Sequence, residues 1–427
     1  MWNKPGPPVA IDPSQLTVGL YVWLDVRWDE HPFLTNRFLV KTPQDLATLQ
    51  SLDLQGRLYH HPDKSTCAPL PLAAAPPTAA QVSAAEQAQR EAMAAEIQRA
   101  EQHKREVRQR QKDAAARADR AWENAARHTK EALLTLSRSP KAAGELIANL
   151  SRETASAIAR GQDVLLHLLG DKKDQGPQFH ALNVLTLCML MGKKAGLSEQ
   201  ELTDLAMAAL THDAGKALIP PPILKNRARK KHEEDLFRQH VDLGVQLAAQ
   251  SGAFSKEALG CIADHHEAVD GSGWPRGRRT MPRVARILAI ANRYDVLCTP
   301  EAQGVEPLMP AKALARMFIV EAKQHDQPLL SLLIKLLGVY PPGTVVKLSD
   351  DSLALVVAPG AESLRPQVLV YTPEIPKDDA PTIELGEEPE LKIVEAIPPT
   401  QLPPDVLAWL NPQQRLSYFF SVEKTAG

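Results

Sequence analysis

The sequence predicts a mainly α fold, with a small α+β module at the amino-terminal end and a small β-rich region at the carboxyl-terminal end. Apolar residues recur at helical spacing through residues 140–338. Between Thr78 and Leu136 the chain has no proline or glycine and is rich in alanine and charged residues, which favours one long helix. After Gly338 apolar residues alternate with polar ones, as is typical of strands.

The amino-terminal module is predicted to cover residues 1–66. Thr42 followed by Pro43 is a typical helix start, and we expect that helix to cover residues 43–52. The expected strands of the module cover residues 20–26, 38–40 and 58–60. A short α+β unit of this kind suits a regulatory or docking role.

The adjacent pair His60–His61 closes this module. Neutral imidazole is a common ligand for divalent metals, so the pair invites a metal interpretation. We favour a solvated strand end instead, because no carboxylate or cysteine accompanies the two histidines.

A connector is predicted over residues 67–139. It begins with a proline- and alanine-rich linker, residues 68–78, and continues as the long helix. Large apolar residues are too sparse along the helix for a sustained coiled-coil seam. We therefore favour a solvated connector helix. The alternative is a lever or dimerisation helix that relays a signal, in which case the protein would be a homodimer.

The central region, residues 140–338, is predicted to be a helical bundle, and residues 339–427 a small β-rich region. The expected helices of the bundle cover residues 140–170, 180–191, 198–213, 231–249, 255–266, 284–297, 310–324 and 329–337. The expected strands cover residues 343–348, 354–357, 367–371 and 391–394, with a loop over 374–389 and a short helix over 404–416.

The composition narrows the class of protein. The formal net charge of the 427 residues is -2, so no general attraction to nucleic acid or to a membrane surface is expected. No apolar run is long enough for a membrane span and no signal peptide is recognisable, which predicts a cytoplasmic protein. The four cysteines are scattered without paired spacing, which indicates reduced thiols and argues against a cysteine zinc site.

Histidines recur at helix-sized intervals through the bundle and are joined by one aspartate. The set consists of His180, His212, Asp213, His240, His265 and His266. Imidazole and carboxylate are the usual ligands of borderline divalent metals, so the set predicts a metal site inside the bundle. The alternatives are a buried helix-end pair at His212–Asp213 and an exposed pair at His265–His266. The metal interpretation is favoured because the histidines occur together.

These residues and their surroundings resemble the HD-GYP family, bacterial phosphodiesterases of the HD superfamily that cleave cyclic di-GMP. The resemblance is carried by residues 179–180, 212–216, 240, 265–267 and 270–275, in the family's order and spacing. The amino-terminal residues also look like an accessory module often attached to such domains.

The resemblance implies a centre of two divalent ions, iron or manganese. All six residues of the His/Asp set would be ligands, and Asp213 would bridge the two metals and take part in catalysis. A metal-bound hydroxide would attack the phosphorus in line. Lys216 follows His212 by four residues, so one helical turn would bring it to the same face as a catalytic donor.

The loop of the resemblance, which includes Gly273, Trp274, Pro275 and Arg276, would line the substrate site. It would alternatively be a docking surface for other signalling proteins. Arg276 could attract a phosphodiester, and a solvated basic turn is the equally supported alternative.

Three positions depart from the family pattern. Asn292 stands where the family has a final aspartate ligand, which predicts one weakly held metal. Gly176 stands where some members have a glutamate, so a third metal is not expected. Glu306 stands where members often have an arginine that grips the substrate phosphate. Asp295 is interpreted as structural, or as orienting a ligand histidine.

Two functions therefore follow from the sequence. The first is a cyclic di-GMP phosphodiesterase. The second is a weakly active or inactive relative that serves as a cyclic-dinucleotide sensor or a signalling scaffold, which Asn292 and Glu306 favour. A different HD-type phosphohydrolase that acts on nucleotides is disfavoured by the Gly-Ser-Gly-Trp-Pro loop.

Overall fold

The computed structural model divides the chain into two compact units, residues 1–113 with 372–381, and residues 114–371 with 382–427. It describes residues 7–27, 30–33, 35–72, 84–159, 164–168, 176–226, 228–300, 305–373, 377, 380, 382–412 and 418–422. The predicted linker therefore lies outside the described residues from position 73 onward. The long helix α2, Ala84–Leu136, forms where the absence of proline and glycine predicts it.

The first unit contains a four-stranded antiparallel sheet, one short helix and the first part of α2. The strands are ordered β1-β4-β2-β3 and cover Val9–Ala10 (β1), Tyr21–Leu24 (β2), Arg37–Leu39 (β3) and Leu58–His60 (β4). Helix α1, Pro43–Ser51, begins at a capping box in which Thr42 and Asp45 satisfy each other's backbone N–H groups. Buried leucines and valines such as Leu20, Val22 and Leu49 form the core of this unit.

The second unit is built around a helical bundle. Its helices after α2 are Pro140–Ala159 (α3), Pro177–Lys194 (α4), Glu199–Thr211 (α5), Pro221–Lys225 (α6), Lys231–Arg238 (α7), His240–Ser251 (α8), Lys256–Asp264 (α9), Arg283–Cys298 (α10), Pro310–Ile319 (α11) and Gln327–Leu337 (α12). Helix α4 is buried on nearly all sides and packs against α5, α10 and α12. The prediction of a mainly α fold with a helical bundle is confirmed.

Two local features fix the start and the end of α5. Ser198 and Glu201 form a capping box at its first turn, as the sequence predicts. Beyond its last turn, a Cβ placed on Gly215 would lie 2.0 Å from the carbonyl oxygen of His240. The turn after α5 therefore lies backbone to backbone against the first turn of α8, an approach that only glycine permits.

A five-stranded antiparallel sheet follows the bundle. The strands are ordered β10-β6-β7-β8-β9 and cover Val345–Leu348 (β6), Leu353–Ala358 (β7), Gln367–Val370 (β8), Thr382–Glu384 (β9) and Ile393–Ala396 (β10). Strand β9 lies inside the segment 374–389 that was expected to be a loop, so that expectation is wrong there. Helix α13, Pro404–Leu410, is shorter than predicted because Asn411 adopts a left-handed conformation (φ 40°) that ends it.

Two predicted helices of the bundle are also wrong in part. The helix expected over residues 140–170 ends at Ala159, and Val164–Leu168 is instead strand β5, paired with Tyr418–Val422 (β11). Its partner comes from the far end of the chain, so local apolar spacing gave no sign of the pairing. The helix expected over residues 231–249 is interrupted at Gln239, which separates α7 from α8.

Candidate metal centre

The predicted ligand histidines lie at the ends of helices. His180 is in the first turn of α4, and His240 is the first residue of α8. His212 directly follows α5, and His265 directly follows α9. Helix ends that meet inside the bundle bring residues that are distant in sequence to one point. The structure thus brings the whole His/Asp set together.

Asp213 lies between two groups of histidines. The first group is Asp213 with His240, His265 and His266, and the second is Asp213 with His180 and His212. Within each group the possible ligand atoms lie within 4.8 Å of one another. Asp213 shares one oxygen with each group, because Oδ1 lies 3.3 Å from His240 Nε2 and Oδ2 lies 3.4 Å from the Nε2 atoms of both His180 and His212.

The outer ring nitrogens fix the tautomer of these histidines. The Nδ1 atoms of His212, His240 and His265 each donate to a backbone carbonyl three residues earlier, at 2.9, 2.7 and 2.6 Å. A neutral histidine that donates from Nδ1 has a lone pair on Nε2, which is the atom that faces Asp213. Each of these Nε2 atoms is therefore ready to accept a proton or a metal ion.

Asp295 orients His180 in the same way. Its Oδ2 accepts from His180 Nδ1 at 2.7 Å and from the Thr299 hydroxyl at 2.8 Å, and its Oδ1 accepts from Asn183 at 2.8 Å. Both carboxylate oxygens are engaged, so Asp295 acts through His180. This geometry supports the interpretation of Asp295 as an orienting residue.

The electrostatics of the centre favour a positive charge beside Asp213. Burial acts to lower the pKa of His180, but the hydrogen bonds and charges of Asp213 and Asp295 outweigh it and raise that pKa to about 10. Burial would raise the pKa of Asp213, but the charge of Lys216 and the hydrogen bonds of His180 and His212 hold it well below its usual range. Burial and neighbouring histidines keep the pKa values of His265 and His266 well below normal, so both rings are neutral.

These observations test whether a divalent metal fits. The Nε2 atoms of His180 and His212 are 3.0 Å apart, a distance at which two bare lone pairs repel unless a cation or a proton lies between them. Among the described residues, Asp213 Oδ1 and His266 Nε2 are buried without a hydrogen-bond partner. Nitrogen donors with one shared carboxylate suit ions such as Fe²⁺ or Mn²⁺. The residues present therefore fit a metal centre.

Lys216 reaches the centre by a route that differs from the expected one. The α-helix has ended before Asp213 (φ −98°, ψ 5°), and Ala214–Leu218 forms a 3-10 turn. The expected α-helical turn from His212 to Lys216 is therefore wrong. The Lys216 Nζ atom nevertheless lies 2.6 Å from Asp213 Oδ2, so the ammonium group belongs to the centre.

Asn292 lies on α10, one turn before Asp295. Its side chain is 3% exposed, and its Oδ1 atom has no hydrogen-bond partner among the described residues. An orphaned amide oxygen is consistent with a weak neutral ligand, as the sequence predicts. Of the other two departures, Gly176 is the N-cap of α4 and Glu306 is exposed.

The Gly-Trp-Pro loop is attached to the end of α9. The Trp274 ring stacks on the His266 ring at 3.9 Å between centroids, and the backbone N–H of Trp274 donates to the backbone carbonyl of His266 at 3.1 Å. A Cβ on Gly273 would lie 2.2 Å from the backbone nitrogen of Ala268, so this contact is also backbone to backbone. Pro275 follows through a cis peptide bond. The loop thus covers His266 on one side.

Glu267 holds this loop, a role that the sequence did not reveal. It is 5% exposed, and its two carboxylate oxygens accept from the backbone N–H groups of Arg276 and Arg278 at 2.7 and 2.8 Å. The Arg276 guanidinium pairs with Asp242 at 3.0 Å, which favours a structural role over attraction of a phosphodiester. The only sign of this role in the sequence is that Glu267 directly follows the histidine pair.

Phe237 was also missed by the sequence interpretation. Its carbonyl accepts from His240 Nδ1, and its ring lies 5.0 Å from the His240 ring and 6.3 Å from the Trp274 ring. Arg229 stacks on Phe237 at 3.8 Å, and Arg238 lies 5.3 Å from the Trp274 ring centroid. Aromatic rings and guanidinium groups therefore lie beside the histidines.

Comparison with known proteins identifies two family models. Residues 9–142 match a domain of unknown function, DUF3391, and residues 123–326 match the HD domain. A cyclic di-GMP phosphodiesterase of Pseudomonas aeruginosa is 28% identical over 229 residues, which are 52% of this chain and 55% of that protein. A cyclic di-GMP phosphodiesterase response regulator of Xanthomonas campestris is 28% identical over 48% of this chain and 53% of its own length.

A third relative acts on a different cyclic dinucleotide. It is a 3'3'-cGAMP-specific phosphodiesterase of Vibrio cholerae, 33% identical over 36% of this chain and 30% of its own length. The chain spans about half the length of the first two relatives. Of the helices that the structure describes, none combines the length and the apolar character needed to cross a bilayer.

Proposed function

We propose that this chain, in which an HD domain match follows a DUF3391 match, is a metal-dependent phosphodiesterase of the HD-GYP type that hydrolyses cyclic di-GMP. The observation that carries the proposal is the convergence of five histidines on the two oxygens of Asp213, with the Lys216 ammonium group at one of them. Such a constellation is suited to bind a phosphodiester and cleave it.

Each residue of the centre has a proposed role. Asp213 would hold both ions through its two oxygens, and the histidines would supply neutral nitrogen ligands. Bound divalent ions, iron or manganese, supply Lewis acidity and lower the pKa of a coordinated water. Lys216 would donate a hydrogen bond to the substrate phosphate. Asp295 would keep His180 in the ligand tautomer.

The proposed substrate class rests on the known relatives and on the side chains that lie beside the centre. The relatives are phosphodiesterases of cyclic di-GMP or of 3'3'-cGAMP. Beside the centre lie the aromatic rings of Trp274 and Phe237, next to Arg229 and Arg238, which both pair with Glu234. Aromatic rings suit the bases of a cyclic dinucleotide, and the Lys216 ammonium group suits its phosphate.

The test is hydrolysis by the full chain. Protein loaded with Mn²⁺ or with Fe²⁺ is incubated with cyclic di-GMP or with 3'3'-cGAMP, and the products are separated by chromatography. We expect faster turnover of cyclic di-GMP, and the identity of the product shows whether one or both phosphodiester bonds are cleaved. Absence of turnover with either ion and either substrate would exclude the proposal.

A second candidate is a sensor or scaffold with little or no activity, favoured by the neutral Asn292. It predicts that the chain binds cyclic di-GMP without turnover. It also predicts that Asn292→Asp restores hydrolysis. Measurement of binding by calorimetry beside turnover for both proteins distinguishes the two candidates.

Other partners are secondary proposals. The Gly-Trp-Pro loop would dock signalling proteins through its exposed part, although Trp274 is partly covered by His266. Helix α2 would mediate a homodimer. The amino-terminal module would regulate the HD domain.

A further inference from the structure

The two oxygens of Asp213 lie in different surroundings. On the Oδ1 side, His240, His265 and His266 complete a group with three nitrogen donors. On the Oδ2 side, His180 and His212 supply two nitrogen donors. We call these the Oδ1 position and the Oδ2 position. They differ by one protein ligand before any other effect is considered.

Positive charge is already present at the Oδ2 position. The Lys216 ammonium group lies 2.6 Å from Oδ2, and both side chains are largely buried, with 16% and 14% exposed. An ion bound at Oδ2 would share that oxygen with the ammonium group and lie beside it. Charges that are removed from water are poorly screened, so the ammonium group must weaken the binding of a cation there.

The remaining neighbours do not supply compensating charge. Asp295 is the second carboxylate near His180, but its oxygens accept from His180, Asn183 and Thr299. Asn292, one turn earlier on the same face of α10, carries a neutral amide and therefore adds no negative charge. At the Oδ2 position, Asp213 is therefore shared between a metal ion and Lys216.

We propose that the two positions bind metal unequally, with a tight ion at the Oδ1 position and a weak one at the Oδ2 position, where Lys216 competes for Asp213. The inference rests on the proposed two-metal centre. It gives Lys216 a second role, because the residue that would bind the substrate phosphate also weakens the second metal.

The experiment counts bound Mn²⁺ on metal-depleted full-length protein without substrate. Free Mn²⁺ is measured by electron paramagnetic resonance as the ion is added. We expect one tight ion per chain and a second that binds about 10- to 100-fold more weakly. Two ions of equal affinity would overturn the inference and leave the proposed function intact, whereas binding of no ion would overturn both.

Two variants and one control test the cause. Lys216→Met removes the charge at similar length, and Asn292→Asp adds a carboxylate. Both variants should bind the second, weaker ion more tightly and leave the affinity for the first ion unchanged. The control is Lys225→Met, which removes an exposed lysine of α6 and should change neither affinity.

Activity gives an independent readout. If Lys216 had only a structural role, its loss would weaken metal binding and activity together, whereas the proposal predicts opposite changes in the two. Lys216→Met should bind the second ion more tightly and still hydrolyse cyclic di-GMP more slowly. If Lys216→Met does not strengthen binding of the second ion, the proposed competition is excluded, whatever the effect of Asn292→Asp.

Discussion

The chain contains two adjacent pairs of buried or half-buried histidines, His60–His61 and His265–His266, and they differ in what surrounds them. In the first unit, His60 ends strand β4 and His61 makes an edge contact with Tyr21 at 5.8 Å. Both histidines are buried, so the expectation of a solvated strand end is wrong: packing against the module covers them. In the second unit, the rings of His265 and His266 lie 4.1 Å apart and join Asp213. The pair His265–His266 thus belongs to a group of residues that could hold a metal ion, whereas the pair His60–His61 does not.

Backbone geometry explains much of the difference. Successive side chains of a strand point to opposite faces of the sheet, so His60 and His61 diverge. At the end of α9 the chain turns, and both rings face the centre. Of the groups of described residues that could hold an ion, each contains Asp213. A histidine pair is therefore placed to bind a metal ion where a shared carboxylate lies beside it.

Removal of that carboxylate charge should have the largest effect. Asp213→Asn takes away the shared anion, so we expect loss of both ions and a fall in hydrolysis of at least about 10³-fold. Elemental analysis and turnover measure the two effects. Retention of two ions by this variant would show that the histidines suffice, and the contrast between the two pairs would then need another cause.

Matched substitutions in the two pairs compare them directly. His265→Ala should remove the tight ion and lower hydrolysis by about 100-fold or more, because the Oδ1 position loses a ligand. His61→Ala should leave metal content unchanged. Metal counting on both variants is the measurement, and loss of metal from His61→Ala would contradict the distinction.

The loop that covers His266 gives a smaller effect. Glu267→Ala removes the acceptor of two backbone N–H groups, so we expect a loss of about 1–3 kcal/mol in the free energy of unfolding of the HD domain and a higher KM. Chemical denaturation and kinetics measure these changes. Glu257→Ala, at an exposed position on the preceding helix α9, is the control and should change neither.

The smallest expected effect is a dependence of stability on pH that arises from His60, in the pair outside the centre. Burial lowers the pKa of His60 in the folded protein. The unfolded chain then binds more protons below about pH 6.5, so the stability of the first unit should be full above that pH and decline as the pH falls. Hydrogen exchange of strand β4 at pH 7.5 and 5.5 measures this, and His60→Gln should reduce the difference. An unchanged difference in His60→Gln would assign the pH dependence to another group.

Many of the helices could be predicted because their signals are local. Helical spacing indicated most helices of the bundle, and Thr42 followed by Pro43 indicated the start of α1 in the amino-terminal module. Strand β5 could not be predicted, because its pairing with β11 depends on residues far along the chain. The 3-10 turn at Lys216 and the interruption at Gln239 were missed because tertiary contacts decide them.

The site was predictable as a set of residues and less so as an arrangement. The spacing of the histidines and the family resemblance identified Asp213 and the five histidines that the structure brings around it. The sequence could not show that the two oxygens of Asp213 face different groups of histidines, because this depends on the three-dimensional structure. The role of Glu267 was hidden because its partners are backbone N–H groups, which have no sequence signature.

The close approach at Gly215 has a consequence for how the centre is loaded. Because the turn after α5 and the first turn of α8 touch through their backbones, Asp213 and His240 are held in place by the fold itself. Such a centre can lose or exchange an ion without being rebuilt, so the metal it carries would follow the supply in the cell and the order of affinities among available ions. A side chain at position 215 would separate the two turns and move Asp213 away from His240. Metal binding would then have to bring the two turns back together, which would lower the affinity for the ion.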